Sequence, residues 1–300
     1  MSTIGTAPAS LLRPADRLGR RRIVNRAAEG VAWLTAAVAV GLLGLVIYSV
    51  ARRGWSQLNL DLLTKAQNPY AGPGVAQGLA NAFVGSLVIV AIATAMALPF
   101  AMLIAVYLSE FAPRRVKTSV GLVLDVLAGI PAIVIGIFVF GLIVVNHGQS
   151  GLAASFALAI LMLPIVFRTT MEVLALVPQS LREASLGLGV PRWRTTLSIV
   201  LPQSIGGVLT GTVLAVARVA GETAPLLFTS SIVGAGISAN PQHALEAVPL
   251  AIFELSESPY PTDQARAWAA AFVLLMFILL TSLVARWFAA RSKRKLGRGR

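Results

Sequence analysis

The sequence predicts an all-α, polytopic membrane protein with six transmembrane helices, and three features predict it. Of its 300 residues 56% are apolar and only 12% are charged, and the mean hydropathy is +0.79, a composition unlike that of soluble domains. Six apolar runs, near 30–51, 82–108, 121–145, 152–168, 205–232 and 267–286, approach or exceed the roughly 20 helical residues that cross a hydrocarbon core of about 30 Å. The net charge of +13 comes mostly from the gaps between those runs, which points to membrane topology rather than to a nucleic-acid surface. Cysteine is absent, so there is no disulfide framework, thiolate metal site or cysteine nucleophile.

Residues 1–29 form a basic arm carrying Arg13, Arg17, Arg20, Arg21, Arg22 and Arg26. The run after it is longer than the ~7–15 apolar residues of a secretory signal, so it is expected to be retained as a helix. Arm, tail (287–300, with Arg286 before it) and the segments around Arg114, Arg115, Lys117 and around Arg168, Arg182, Arg192, Arg194 hold 20 of the 25 basic residues. The positive-inside rule places all four regions, and both termini, in the cytoplasm. The gaps at 146–151 and 233–265 contain no lysine or arginine, as outer loops should. Arg52, Arg53 and Lys65, in the first outer loop, run against the pattern.

Within the 30–286 membrane domain, Pro99, Pro131, Pro164 and Pro225 fall in or near four of the helices and read as kinks. Gly207 and Gly211, with Gly206 beside them, place small residues one turn apart and suit close helix packing. His147 and His243 are too isolated to propose a metal site. Asp125 reads as an interfacial residue or a helix contact, and Glu246, Glu254, Glu257 and Asp263 as the solvated acids of an outer loop.

Arg218 and Glu222 stand out in the stretch ARVAGETAP, residues 217–225, inside the fifth apolar run. Four residues apart on a helix, both side chains share one face. Unpaired, such charges at a helix centre cost about 2.5–3.5 kcal/mol each on the insertion scale, so lipid is not what they touch. One reading is an ion pair that fixes helix packing. The other is the lining of an anion route, with the planar fork of Arg218 binding phosphate oxygens and Glu222 limiting how tightly they are held.

The connection 169–204 is too long for a simple turn. Leu181, Ala184, Ser185 and Leu188 fall at helical spacing, and Gly189 with Pro191 ends the turn. On these grounds alone it is either an amphipathic connector lying on the membrane or a docking element. Glu183, Ala184 and Ser185, then Gly189, then Ile199, Leu201 and Pro202 resemble the EAA loop of ABC-importer permeases, with Ser for the second Ala. The resemblance narrows to the phosphate-importer permeases of the PstA type through GLANAFVGSLVIV (78–90), LPFAMLIAVYLSEF (98–111), GIPAIVIGIFVFG (129–141) and ARVAGETAPLLFT (217–229). Ala132 departs from it, because a serine is expected there.

The resemblance implies a type I ABC importer permease fold in a bacterial inner membrane. It also implies that Arg218 and Glu222 lie in the translocation path and that Glu183, Ala184, Ser185 and Gly189 couple to a cytoplasmic ATPase. The implied partners are a second related permease, an ATPase dimer, an extracytoplasmic phosphate-binding protein and inorganic phosphate. No Walker A pattern occurs, so no cofactor is expected in this chain and ATP with magnesium belongs to the partner ATPase. The alternatives are another oxyanion as cargo, or an ion-coupled carrier that uses Arg218 and Glu222 as a relay. A lone carrier has no need of an EAA loop, and no catalytic constellation suggests an intramembrane enzyme.

Overall fold

The structure, a computed structural model, describes the backbone of residues 15–67, 77–230 and 236–297, and side chains within 21–67, 77–230 and 236–287. Arg13, the side chains of Arg17 and Arg20, part of the loop expected at 233–265 and the basic side chains of the tail lie outside the described residues. The chain forms two compact units, residues 1–49 and 50–300. The first is the bulk of helix α1 (Ala15–Gly54), which carries the backbone on into the second. It starts earlier than the expected run because alanine and arginine in the basic arm are strong helix formers. Its Trp33, Leu34 and Val40 are exposed, as lipid-facing side chains are.

In the second unit the short α2 (Leu60–Thr64) is capped by the Asn59 side chain, which accepts from the Leu62 N–H at 3.0 Å. Then come α3 (Ala80–Glu110), α4 (Arg114–Gly129) and α5 (Ala132–Val139), the last running through a π-helical stretch at 140–144 into α6 (Val145–His147). Next are α7 (Gly151–Ala175), α8 (Gln179–Gly187) and α9 (Arg192–Thr195), with a π-helical stretch at 196–200 joining α9 to α10 (Leu201–Val219). The chain closes with α11 (Leu226–Thr229), α12 (Val248–Glu257) and α13 (Pro261–Gly297). Among the described residues there is no strand, and the all-α expectation agrees with the structure.

Among the described residues, five helical stretches are long and apolar enough to span a membrane: 21–57, 80–110, 151–175, 192–219 and 261–287. The 114–129 and 132–147 helices are long and apolar enough only when taken together; they meet at a 96° bend and bring the count to six if the pair makes one crossing. The third apolar run is therefore not the single helix expected. Pro131 has no N–H to continue the ladder and holds Ile130 extended, at φ −69° and ψ 130°. The fourth span outruns 152–168 and reaches Ala175, and the fifth begins at Arg192, so the long connection shrinks to residues 176–191.

The packing of α3 on α7 is the most extensive interface and the centre of the core. Ala93, Ala97, Ala101 and Ala105 recur every fourth residue along α3 and are all buried. That stripe of methyl groups lets the backbones approach closely, and Leu158, Met162 and Val166 of α7 belong to the same buried cluster. Further along α7 lies α10, which also touches α3. A Cβ added at Gly207 would stand 2.6 Å from Val173, and one at Gly211 would stand 2.6 Å from Thr169 Oγ1. The two glycines thus let α10 sit against α7, while α13 packs on α10 and α12.

Candidate functional site

The helix that carries Arg218 stops at Val219. Gly221 N–H donates to the Arg218 carbonyl at 3.3 Å and Glu222 N–H to the Val219 carbonyl at 3.0 Å, winding the chain out of the helix. Arg218 thus lies in the last turn and Glu222 beyond it, so the expectation that both emerge from one helical face is corrected. Among the described residues no ion pair joins them. Gly221, and Pro225 with its missing N–H, end the helix despite the apolar neighbours. Arg218 is exposed and Glu222 half-buried. A cation in the last turn is favoured by the helix dipole, so Arg218 has support without an acid.

The turn after α10 meets α5 itself. A Cβ added at Gly136 of α5 would lie 2.7 Å from the Pro225 Cα and 3.1 Å from its carbonyl oxygen, a gap that only hydrogen fills. One turn further on, Phe140 meets Phe228 edge to face with ring centroids 6.4 Å apart. The turn at 220–225 is therefore packed against the middle of α5, about one and a half turns beyond the break at 130–131. Non-helical backbone at membrane depth is tolerated only where protein buries it or where it lines a water-filled cavity. Nearby in the chain, Asp125 of α4 is bonded to Arg168 of α7, and both are more than half exposed.

At the coupling loop, Glu183 and Ala184 of α8 are exposed while Ser185 is buried, its Oγ 2.9 Å from Thr195 Oγ1. Gly189 has φ +80°, a conformation that favours glycine, and nothing lies near its missing Cβ, so backbone shape rather than space selects it. The turn leaves Leu188 84% and Trp193 59% exposed, a large apolar surface for a loop. Arg182 faces the other way. Its Nη2 donates to Glu110 Oε1 at 3.0 Å and its Nε to Oε2 at 3.3 Å, while Nη1 and Nη2 donate to the Val177 and Leu174 carbonyls at 2.7 and 2.9 Å. Sequence reasoning missed this pair, because 72 residues separate the partners and neither stands in an apolar run.

The outer segment departs from a solvated loop. Glu246 is only 2% exposed and accepts from the Asn81 side chain, whose Oδ1 accepts from the Gln67 N–H at 3.0 Å. Val248 N–H donates to Ser86 Oγ at 2.8 Å, and Gly85 leaves room for the Glu246 carbonyl, so this segment is fastened to the start of α3. Asp263 bonds to Arg266 and accepts from Ser258 Oγ at 2.7 Å, while Arg266 reaches Gln77 Oε1 at 3.0 Å. Burial pushes the Glu254 carboxyl above its ordinary value, and the charge of Asp263 adds to the shift. Two of the basic residues that run against the topology pattern have local partners: Lys65 pairs with Asp61 at 2.8 Å, and Arg53 lies 4.8 Å from the Trp268 ring centre. Among the described residues no group of histidines and carboxylates is placed to hold a metal ion.

A polytopic helical membrane protein, with one sharply bent helix pair and a short surface helix between the 151–175 and 192–219 stretches, is the class that this fold defines. Residues 97–294 match the family described as "Binding-protein-dependent transport system inner membrane component". The chain is 38% identical over 277 residues to the phosphate transport system permease protein PstA of Xylella fastidiosa, covering 91% of this chain and 95% of that one. It is 37% identical to PstA of Yersinia pestis, covering 91% and 92%, and 38% identical to PstA 1 of Mycobacterium tuberculosis, covering 92% and 91%. Among solved structures, a chain of the inward-facing MetNI methionine ABC transporter superimposes with a TM-score of 0.60 over 71% of this chain and 95% of its own, at 15% identity, which is a likeness of fold. The chain belongs to the binding-protein-dependent transport permeases and, within them, to the PstA family of phosphate transport permeases.

Proposed function

We propose that this chain is the PstA-type membrane subunit of an ATP-driven importer of inorganic phosphate, with Arg218 and Glu222 in the translocation path. The observation that carries the path assignment is an arginine at the end of a membrane helix, exposed and without an acid partner among the described residues, where the chain leaves the helix in a turn that packs on α5. Facing lipid, such a charge would cost about 2.5–3.5 kcal/mol or more. Facing a second related permease across a hydrated path, it can meet an anion. Its planar guanidinium presents paired donors to phosphate oxygens and stays protonated. Glu222, half-buried beyond the helix end, keeps the net charge of the path low enough for release.

The remaining parts follow the same reading. The exposed face of α8 with Leu188 and Trp193 docks on a cytoplasmic ATPase dimer, which holds ATP and magnesium; this chain hydrolyses nothing. An extracytoplasmic phosphate-binding protein delivers the anion at the 236–265 side, and both termini are cytoplasmic.

The test is phosphate uptake by the complete complex in proteoliposomes. Arg218→Ala should assemble and lose uptake about tenfold or more, as expected for a charge-assisted contact of about 1.5–3 kcal/mol. Arg218→Lys keeps charge without the fork and should retain part of the activity. Because no pair holds the two residues together, adding Glu222→Ala to Arg218→Ala should not restore uptake. Restored uptake in the double variant would show a merely structural pair, and uptake without ATP would show a carrier working alone. Preferential uptake of another oxyanion would overturn the choice of phosphate.

A further inference from the structure

The coupling helix α8 has little packing to hold it. Ser185 is its only buried residue, and its nearest neighbours are α9 and the π-helical stretch that follows. Beside it lies an open cavity of about 360 Å³, lined by Lys117, Gln179, Glu183 and Arg192 and, at the end of α3 and in the middle of α8, by Glu110 and Arg182. Apolar contact therefore does not fasten α8 to the membrane helices.

Arg182 does. From the middle of α8 its guanidinium forms a two-bond fork with Glu110, the last residue of α3, and two more bonds with carbonyls at the end of α7. Both side chains are only 12% exposed although they border the cavity, so the pair is screened less than an ion pair on the open surface. Ser109 Oγ donates to Glu110 Oε1 at 3.1 Å and fixes the carboxylate further. The positive charge also lies at the C-terminal end of α7, where the helix dipole favours it. On its other side α8 is joined through Ser185 to Thr195, and hence to the continuous helix that becomes α10.

We infer that Arg182 and Glu110 are positioning residues for transport: a strut that carries displacement of α8 into α3 and α7, the two spans that form the core. The inference rests on the docking of α8 on an ATPase proposed above. Without the strut, α8 remains tied to α10 alone, and its motion is spent across the cavity instead of moving the core spans. The fork matters because two parallel bonds transmit rotation as well as push, whereas a single point contact pivots.

The experiment measures phosphate taken up per ATP hydrolysed by the complete complex in proteoliposomes. Glu110→Gln should leave assembly and hydrolysis in place and lower that ratio about tenfold, within the usual range of coupling between two sites. Arg182→Lys should lower it less, and it serves where Glu110→Gln fails to assemble. A purely structural role would reduce the amount of complex and leave the ratio unchanged. An assembled variant with an unaltered ratio, or one in which hydrolysis and uptake fall together, overturns the strut. Docking itself is scored separately: Leu188→Cys, in a chain with no cysteine of its own, should cross-link to the ATPase. Failure of that cross-link overturns the docking reading and the strut with it, whereas cross-linking with an unchanged ratio overturns the strut alone.

Discussion

Glu254 shows how one side chain can weaken the fold it belongs to. It lies in α12, outside the spans, where burial first and the charge of Asp263 second push its carboxyl above the ordinary 4.5. The folded chain therefore binds a proton that the unfolded chain has already released. Stability from this group is highest below pH 4.5 and falls as pH rises through the raised folded value, because ionisation is easier once the chain unfolds. Glu254→Gln removes that penalty. Thermal unfolding in detergent should show a higher melting temperature than the parent at about pH 7, with the difference closing below pH 4.5. A lower melting temperature at neutral pH would mean that the ionised carboxylate has a favourable partner. Glu246, like Glu254, reads from sequence as a solvated acid and is instead buried, because Asn81, which holds it, is 165 residues away.

Among the elements, the seam between α10 and α7 depends on what its glycines lack. At Gly211 the missing Cβ would fall 2.8 Å from the Thr169 Cβ, so any larger residue must push the two helices apart. Gly211→Leu should cost about 1–3 kcal/mol of stability, as overpacking does, read as a lower melting temperature and reduced yield of complex. Gly121→Ala in α4 is the matching control, since nothing lies within 4 Å of its missing Cβ. There the substitution should be neutral or stabilise by about 0.4–1 kcal/mol through the unfolded chain. The spans themselves were legible because hydropathy sums over many residues. Their ends were not, because a helix end is decided by one or two residues. Gly221 and Pro225 carried the stop signal after α10 and were outweighed by the apolar residues around them. Pro131 was legible as a kink, but a 96° bend depends on what packs against α5, which no local pattern announces.

For the whole molecule, the family, the all-α class and the many-span character, with five to six candidate spans, were readable, since long apolar runs and the motif stretches survive without any knowledge of contacts. The orientation rests on where the basic residues lie. A reporter fused at Arg300 should stay inside, and a tag near Asn240 should be accessible outside; labelling of the Asn240 tag from the cytoplasm would overturn the arrangement. The candidate site was legible only as a pair of charges. Its geometry comes from residues distant in sequence, and the acid and base it brings into one region are not bonded to each other.

Gly136 and Pro225 add a limit of a different kind. Their backbones already approach until no methyl group fits between them, so α5 and the turn after α10 cannot come closer. This contact sets the closest approach that α5 and that turn can make. The separation of the two is thus governed by the volume of a single side chain: a residue larger than glycine at position 136 must force them apart.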